Sequence, residues 1–405
     1  MDFPNDEVAQ SKEDLEDKKI SMVILSSTVI LTVQFFLLIS FDLMDSSLGS
    51  MVQTLSKGLV GILLLYTFPI ILKRSLGLFI VVYYIAILIF SLHYLLFPQN
   101  QEYMSDLIFP FFFMCLPIFI YSRSLENWGI FKQTMTKASV IIFVLGLILG
   151  IQIVSGAASV GDYSMTLSYY LLLPSIIFVD KLLDQFSISS LVVSVLSIVI
   201  ILSIGSRGAI MCIGVFVLLK LIKPNAEIPL TKSRVFLYIV LLVSTSLILL
   251  NFKSILLSID NLLGEYGIHS RSIRLFLAPE VSLSGREGIY EKVLAAIGEH
   301  PILGIGLAGD RQITNGVYAH NLLLEVLINF GVVLGSLLIV FLLVIMLKTL
   351  FVRDLKVYNM LIMWISIGLV SLFVSGSYLT ELNFWIFLGL ILSYYKQKSY
   401  RKTRQ

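Results

Sequence analysis

Long apolar runs separated by short polar clusters set the pattern of this chain. A helix that crosses the hydrocarbon core needs roughly 20 apolar residues. On that measure the pattern predicts about twelve spans, at 20–40, 53–72, 76–95, 107–121, 139–154, 167–179, 190–204, 209–222, 235–250, 332–347, 357–374 and 384–395. The expected fold class is all-α: a polytopic transmembrane helical bundle with one large extracytoplasmic loop. The organisation expected is an acidic cytoplasmic tail over 1–19, transmembrane helices over 20–257, an extracytoplasmic loop over 258–318, the last transmembrane helices over 319–395 and a basic cytoplasmic tail over 396–405.

The 258–318 loop is too long for an idle connector, and the apolar residues recurring through it argue against disorder. Ser284 followed by Glu287 is a capping-box pattern. Beyond it, Ile289, Val293, Ala296 and Ile297 fall on one helical face, and Gly298 with Pro301 ends the helix. This predicts a short amphipathic helix near the outer membrane surface. A second helix is expected to start around His320 and run through 321–330 into the next span.

Composition agrees: 57% of residues are hydrophobic and 14% charged, where soluble domains carry about 25% charge. The net charge of +3 says less than its distribution. Lys and Arg concentrate in cytoplasmic loops. With the N-terminus inside, Lys12, Lys18, Lys19, Lys73, Arg74, Arg123, Lys132, Lys137, Lys181, Lys220, Lys223, Lys232, Arg234, Lys348, Arg353, Lys356 and the C-terminal cluster all fall inside. The outer loops near Asp45, Asn100 and Asp162 hold none. Both termini are therefore expected in the cytoplasm. The acidic first segment, followed by no small-residue cleavage site, reads as a mobile tail and not as a cleaved signal peptide.

What remains outside is Lys57, Arg207, Lys253, Arg271, Arg274, Arg286, Lys292 and Arg311. Isolated arginines on that face point to an anionic ligand. Arg207, in Ser206-Arg207-Gly208 between two spans, is expensive to bury unless paired or wet; it is either an anion ligand or a snorkelling side chain. Arg286 is expected in the first turn of the capped helix, where free N–H groups and a guanidinium fork suit phosphate oxygens. Arg271, Arg274 and Arg311 are accessory candidates, each read first as a solvated or interfacial charge. His320 stands where the outer loop enters a span, and a neutral imidazole there can accept a proton from a sugar hydroxyl. His93, His269 and His300 read as hydrogen-bonded interfacial histidines.

Other chemistries find little support. Gly304, Gly306 and Gly309 fit GxGxxG by letter, but the dinucleotide motif needs a strand before it. The glycines instead suggest a close turn. There is no HExxH, no His/Cys cluster, no Walker-type loop and no cytoplasmic loop long enough for a nucleotide-sugar domain, so neither metal nor cofactor is expected. Cys115 and Cys212 lie in apolar runs and read as small core residues.

Together these residues resemble the O-antigen ligase and O-antigen polymerase superfamily. Ser206-Arg207-Gly208 resembles its first arginine motif. Gly285-Arg286 with Tyr290, followed by the run His300 to Gly306, resembles its loop signature, although an aromatic, often Trp, is usual where Tyr290 stands. His320-Asn321 with Gly331 and Gly335 resembles the motif associated with ligases. The resemblance implies an integral membrane glycosyltransferase whose donor is a polyprenyl-pyrophosphate-linked oligosaccharide, working by inversion without a metal. It further implies that Arg207 and Arg286 bind the pyrophosphate and that His320 is the base or orients the acceptor, with Tyr290 and Asn321 as accessory residues. The expected setting is the bacterial cytoplasmic membrane, with the site on its outer face. Membrane lipid and a chain-length regulator protein are the partner candidates, and no nucleic acid is. A polymerase making capsule, exopolysaccharide or O-antigen is the leading expectation and a ligase the close alternative. A transporter of anionic or lipid-linked sugars is the alternative of a different class, disfavoured by the absence of paired repeats.

Overall fold

The apolar runs fold as helices. The structure is a computed structural model and describes residues 4–44, 46–154, 165–204, 206–223, 252–265, 277 and 286–403. Among the described residues no strand occurs. In chain order the helices are α1 (Pro4–Ser40), α2 (Ser47–Leu96), α3 (Gln101–Pro110), α4 (Leu116–Arg123), α5 (Trp128–Val154), α6 (Met165–Tyr170), α7 (Leu172–Asp184), α8 (Ile188–Ile204) and α9 (Arg207–Ile222). They continue as α10 (Phe252–Glu265), α11 (Glu287–Glu299), α12 (Gly309–Ile313), α13 (Leu322–Leu350), α14 (Leu355–Trp364) and α15 (Leu382–Thr403).

Among the described residues seven helices are long and apolar enough to cross a membrane. The difference from the expected number has physical reasons. The runs 53–72 and 76–95 both lie in α2, which counts once among the seven although its backbone breaks between them. Its backbone leaves the helical region at Ser75 (φ −148°, ψ 31°), beside Lys73 and Arg74. The two arms fold back on one another: the Phe68 and Phe79 rings lie 5.2 Å apart, although a straight helix would separate such positions by about 16 Å. The runs 190–204 and 209–222 lie in the shorter α8 and α9, and 384–395 lies in α15. The run 235–250 falls outside the described residues.

Contacts divide the chain into two compact units. One comprises Thr28–Ser56 and Met135–Ser284. Within it Lys220 of α9, 4% exposed, bridges Asp180 at 2.7 Å and Asp184 at 2.9 Å on α7. A lysine this buried is tolerable because it is paired. The other unit comprises Met1–Ser27, Lys57–Thr134 and Gly285–Gln405. In it Arg74 reaches Glu16 at 2.9 Å and Asp17 at 2.6 Å, and Asp17 also accepts the Asn127 N–H at 2.6 Å. That polar clamp holds the start of the chain against the α2 break. Close packing of α15 on α4 relies on Gly389, where any side chain would meet Phe119 O.

α13 is interrupted at Gly331 (φ 75°, ψ 174°). In an unbroken helix Val332 N would bond to Ile328 O. Here Val332 N donates to Pro301 O at 2.7 Å, and Ile328 O accepts from Ile305 N at 2.8 Å. The 301–305 loop is thus inserted into the helix ladder, and both displaced backbone groups stay satisfied. A Cβ on Gly331 would overlap Ile302 O, and one on Gly304 would overlap Ile328 O. Gly331→Ala is therefore expected to lower stability by about 3 kcal/mol or more, since the backbone region is open essentially to glycine alone and the neighbour is main chain. Thermal unfolding of the purified variant beside the wild type checks this; equal midpoints contradict it.

Candidate functional site

The site residues sit where three segments of one unit converge: the start of α11, the turn before α13, and the 374–381 connection ahead of α15. The apolar face expected on α11 places Val293 and Ile297 against Ile305, Ala319 and Ile328, with Ile289 and Ala296 at the edge. That packing fixes α11 on the N-terminal part of α13. Arg286 is the N-cap of α11 and uses no side-chain cap bond. It therefore stands just before the first turn, not inside it as expected, and Ser284 lies outside the described residues. Arg286 is half-buried, and its Nη1 donates to Val374 O. Tyr290 follows one turn later, its N–H bonded to Arg286 O at 2.9 Å.

His320 occupies a left-handed turn (φ 54°). Next to it Asn321 caps α13, its Oδ1 accepting from Leu323 N at 3.0 Å and Leu324 N at 3.3 Å. Asn321 thus has a structural task in aiming the turn. The Tyr318 ring lies 4.0 Å from the imidazole, tilted by 47°. Nδ1 of His320 is buried and has no protein partner. Burial pushes the imidazole down to about 4, and the Arg286 and Arg311 charges add to the effect. The ring is therefore neutral through the physiological range.

Arg311 differs from its expected solvated state. It is 7% exposed, and its Nη1 lies 3.2 Å from Asp310 Oδ1 and 3.6 Å from Glu325 Oε1. Its Nη2 donates to Ser377 Oγ at 2.8 Å. A guanidinium can be buried this deeply because its charge is matched.

The sequence reading missed this ion cluster. Glu325 is a carboxylate one turn into an apolar helix, and an ionisable group in such a place is itself a functional signal. Its partner Ser377 is 52 residues away, with no local pattern to reveal it. Glu381 was also missed. It is half-buried, and burial pushes its carboxyl up to about 7. Tyr318 connects it to His320: the phenol is raised mainly by burial, bonds to Ser375 and the Gly376 backbone, and feels the Glu381 charge.

The glycine loop beneath this site is held from below. Asn100 Nδ2 donates to Ile305 O at 2.7 Å and Leu307 O at 3.1 Å, and His93 Nδ1 accepts from Leu307 N at 3.0 Å. Gly304 and Gly306 both have positive φ, which makes the close turn a backbone requirement. Arg207 belongs to the other unit, where it is the first residue of α9 behind the N-cap Ser206, whose Oγ accepts from Ala209 N at 3.3 Å. Arg271 and Arg274 lie outside the described residues. No group of three or more His, Cys, Asp or Glu that could hold a metal ion occurs among the described residues.

Comparison with known families adds one finding. Residues 192–339 match the family model described as O-Antigen ligase. The chain is similar to that family. The match spans Arg207, Arg286, Tyr290, Arg311, His320 and Asn321, and it stops before the 374–381 connection. It supports the O-antigen ligase and polymerase-like superfamily, and with it glycan transfer on lipid-linked substrates in a membrane. The seven apolar helices agree with a multi-pass membrane protein. Curated proteins give no match.

Proposed function

We propose that this protein is a polysaccharide polymerase. It transfers a growing glycan from a polyprenyl-pyrophosphate donor onto a lipid-linked repeat unit on the outer face of the cytoplasmic membrane. The observation that carries the reading is the neutral, half-buried His320 held beside Arg286, within the stretch that matches the O-antigen ligase family. In the reaction the acceptor hydroxyl attacks the anomeric carbon. The bond from that carbon to the pyrophosphate oxygen breaks, and the configuration inverts. Arg286 takes up the charge that grows on the leaving pyrophosphate, an electrostatic task that a preorganised guanidinium can perform without a metal. The acceptor oxygen becomes strongly acidic as it bonds to the oxocarbenium-like carbon, so even a weakly basic imidazole suffices to take its proton.

A pH signature follows. The acid limb of kcat/KM reports the free enzyme and is expected near the His320 value of about 4. Activity is lost as pH falls through that value. A bound pyrophosphate favours the imidazolium, so the limb of kcat is expected at higher pH than that of kcat/KM. A kcat/KM limb near 7 would assign the base to Glu381 instead.

A ligase is the second reading, favoured by the His320-Asn321 motif. Purified protein in lipid vesicles, supplied with the lipid-linked repeat unit alone, separates the two. A ladder of lengthening glycans supports the polymerase. Transfer only after a separate final acceptor is added supports the ligase and overturns the polymerase.

A further inference from the structure

Both terminal nitrogens of Arg311 are engaged by protein groups, and those groups come from several of the surrounding segments. Asp310 precedes it in α12, Glu325 is on α13, and Ser377 is in the 374–381 connection. The two carboxylates extend the connection. Asp310 Oδ2 accepts the Ala319 N–H at 2.9 Å, immediately before His320. Glu325 Oε1 accepts the Ser377 hydroxyl, and its Oε2 accepts the Tyr378 N–H at 3.2 Å. Val374, whose carbonyl holds Arg286, lies three residues before Ser377. The Tyr318 ring lies against His320 and 5.8 Å from the Arg311 guanidinium carbon.

We infer that the buried Asp310–Arg311–Glu325–Ser377 network is a positioning device that sets the His320 turn against the Arg286 anchor, and that Arg311 is not a further ligand for the donor. A left-handed turn at a non-glycine residue persists only where its surroundings over-determine it. This network supplies such surroundings: it grips the peptide before His320 and the helix after it. Glu325 and Asp310 are consumed in holding Arg311 and the backbone, so neither faces a reacting sugar. The charged and titratable groups around the imidazole are Arg286, Arg311 and Tyr318, with Asp310 and Glu325 paired to Arg311 and Glu381 acting on Tyr318.

The inference rests on the glycan-transfer reading above, and the controls keep the two apart. His320→Ala and Arg286→Ala are assayed first in vesicles with the lipid-linked repeat unit; full turnover in both defeats the underlying reading and not the network alone. The test variant is Arg311→Met/Glu325→Met in the full chain. Replacing Arg311 and Glu325 together by apolar side chains avoids stranding the Glu325 charge, and Asp310, which loses its Arg311 partner, keeps the bond from the Ala319 N–H. The double variant is expected to fold with a lowered unfolding temperature, because Asp310 loses its Arg311 partner, and to lose kcat by about 100-fold, the scale of a small misplacement of reacting groups. Its KM for the donor stays within about threefold. The acid limb of kcat/KM moves to higher pH, because the Arg311 charge no longer opposes imidazolium formation. A purely structural role predicts wild-type kcat and an unmoved limb in the folded double variant, and that result overturns the inference. So does a donor KM that rises in step with the loss of kcat, which would make Arg311 a donor ligand. Ser377→Ala keeps the test open if the double variant does not fold. It removes the bridging hydroxyl alone and is expected to lower kcat about tenfold at unchanged KM. An unchanged kcat in Ser377→Ala also overturns the inference.

Discussion

His320→Ala is expected to abolish glycan transfer while leaving the lipid-linked donor bound. The imidazole stands in a turn that Asn321 and the Asp310 bond to Ala319 hold from both sides. Trimming it therefore removes the proposed proton acceptor without disturbing the Arg286 bond to Val374 O. Loss of a general base typically costs 10²–10⁴-fold, about 3–5 kcal/mol of barrier. Removing the ring also relieves a buried polar atom without a protein partner, so the variant is not expected to be less stable. Turnover in vesicles and donor binding by a fluorescent lipid pyrophosphate are the two readouts. A wild-type rate excludes His320 as the base. Lost donor binding would instead make it a donor contact.

Arg286→Lys is the second large effect. The guanidinium commits one nitrogen to Val374 O, and a planar fork carries enough N–H donors to serve that carbonyl and phosphate oxygens together. An ammonium is a point charge on a flexible stem and cannot do both. The expected result is a loss of kcat/KM of about 100-fold, on the scale of a lost oxyanion donor. The ladder of products should be shorter and fainter in cells that lack the native gene. Normal chain length and yield from Arg286→Lys would remove the pyrophosphate clamp from the account.

The legible parts of the fold are those governed by local periodicity. Apolar runs became helices because a chain in lipid must satisfy its backbone internally. The Ile289, Val293, Ala296 and Ile297 face of α11 packs as its spacing implied. Arg286 and His320 stand out as candidates because charge and imidazole are conspicuous in so apolar a chain. The parts that were not legible depend on pairs distant in sequence. Glu325 looked like an ordinary helix residue until Arg311, Ser377 and the Tyr378 N–H met it. Arg311 looked solvated because nothing near it in sequence except Asp310 announces burial. The runs 53–72 and 76–95 read as two spans, and the fold-back at Ser75 agrees with that, yet helix continues up to the break from both sides. At Gly331 the glycine was visible as part of a motif. Its task, admitting the 301–305 loop into the α13 ladder, depends on a partner well before it in the chain.

The most direct measurement of the central claim is the release of polyprenyl pyrophosphate from the lipid-linked repeat unit. It is made with the full chain in vesicles containing a chelator and no nucleotide sugar. The account predicts one polyprenyl pyrophosphate released for each glycosidic bond formed, in the wild type and not in His320→Ala. Glycan that appears inside the vesicles with its lipid pyrophosphate intact would contradict it and identify a transporter.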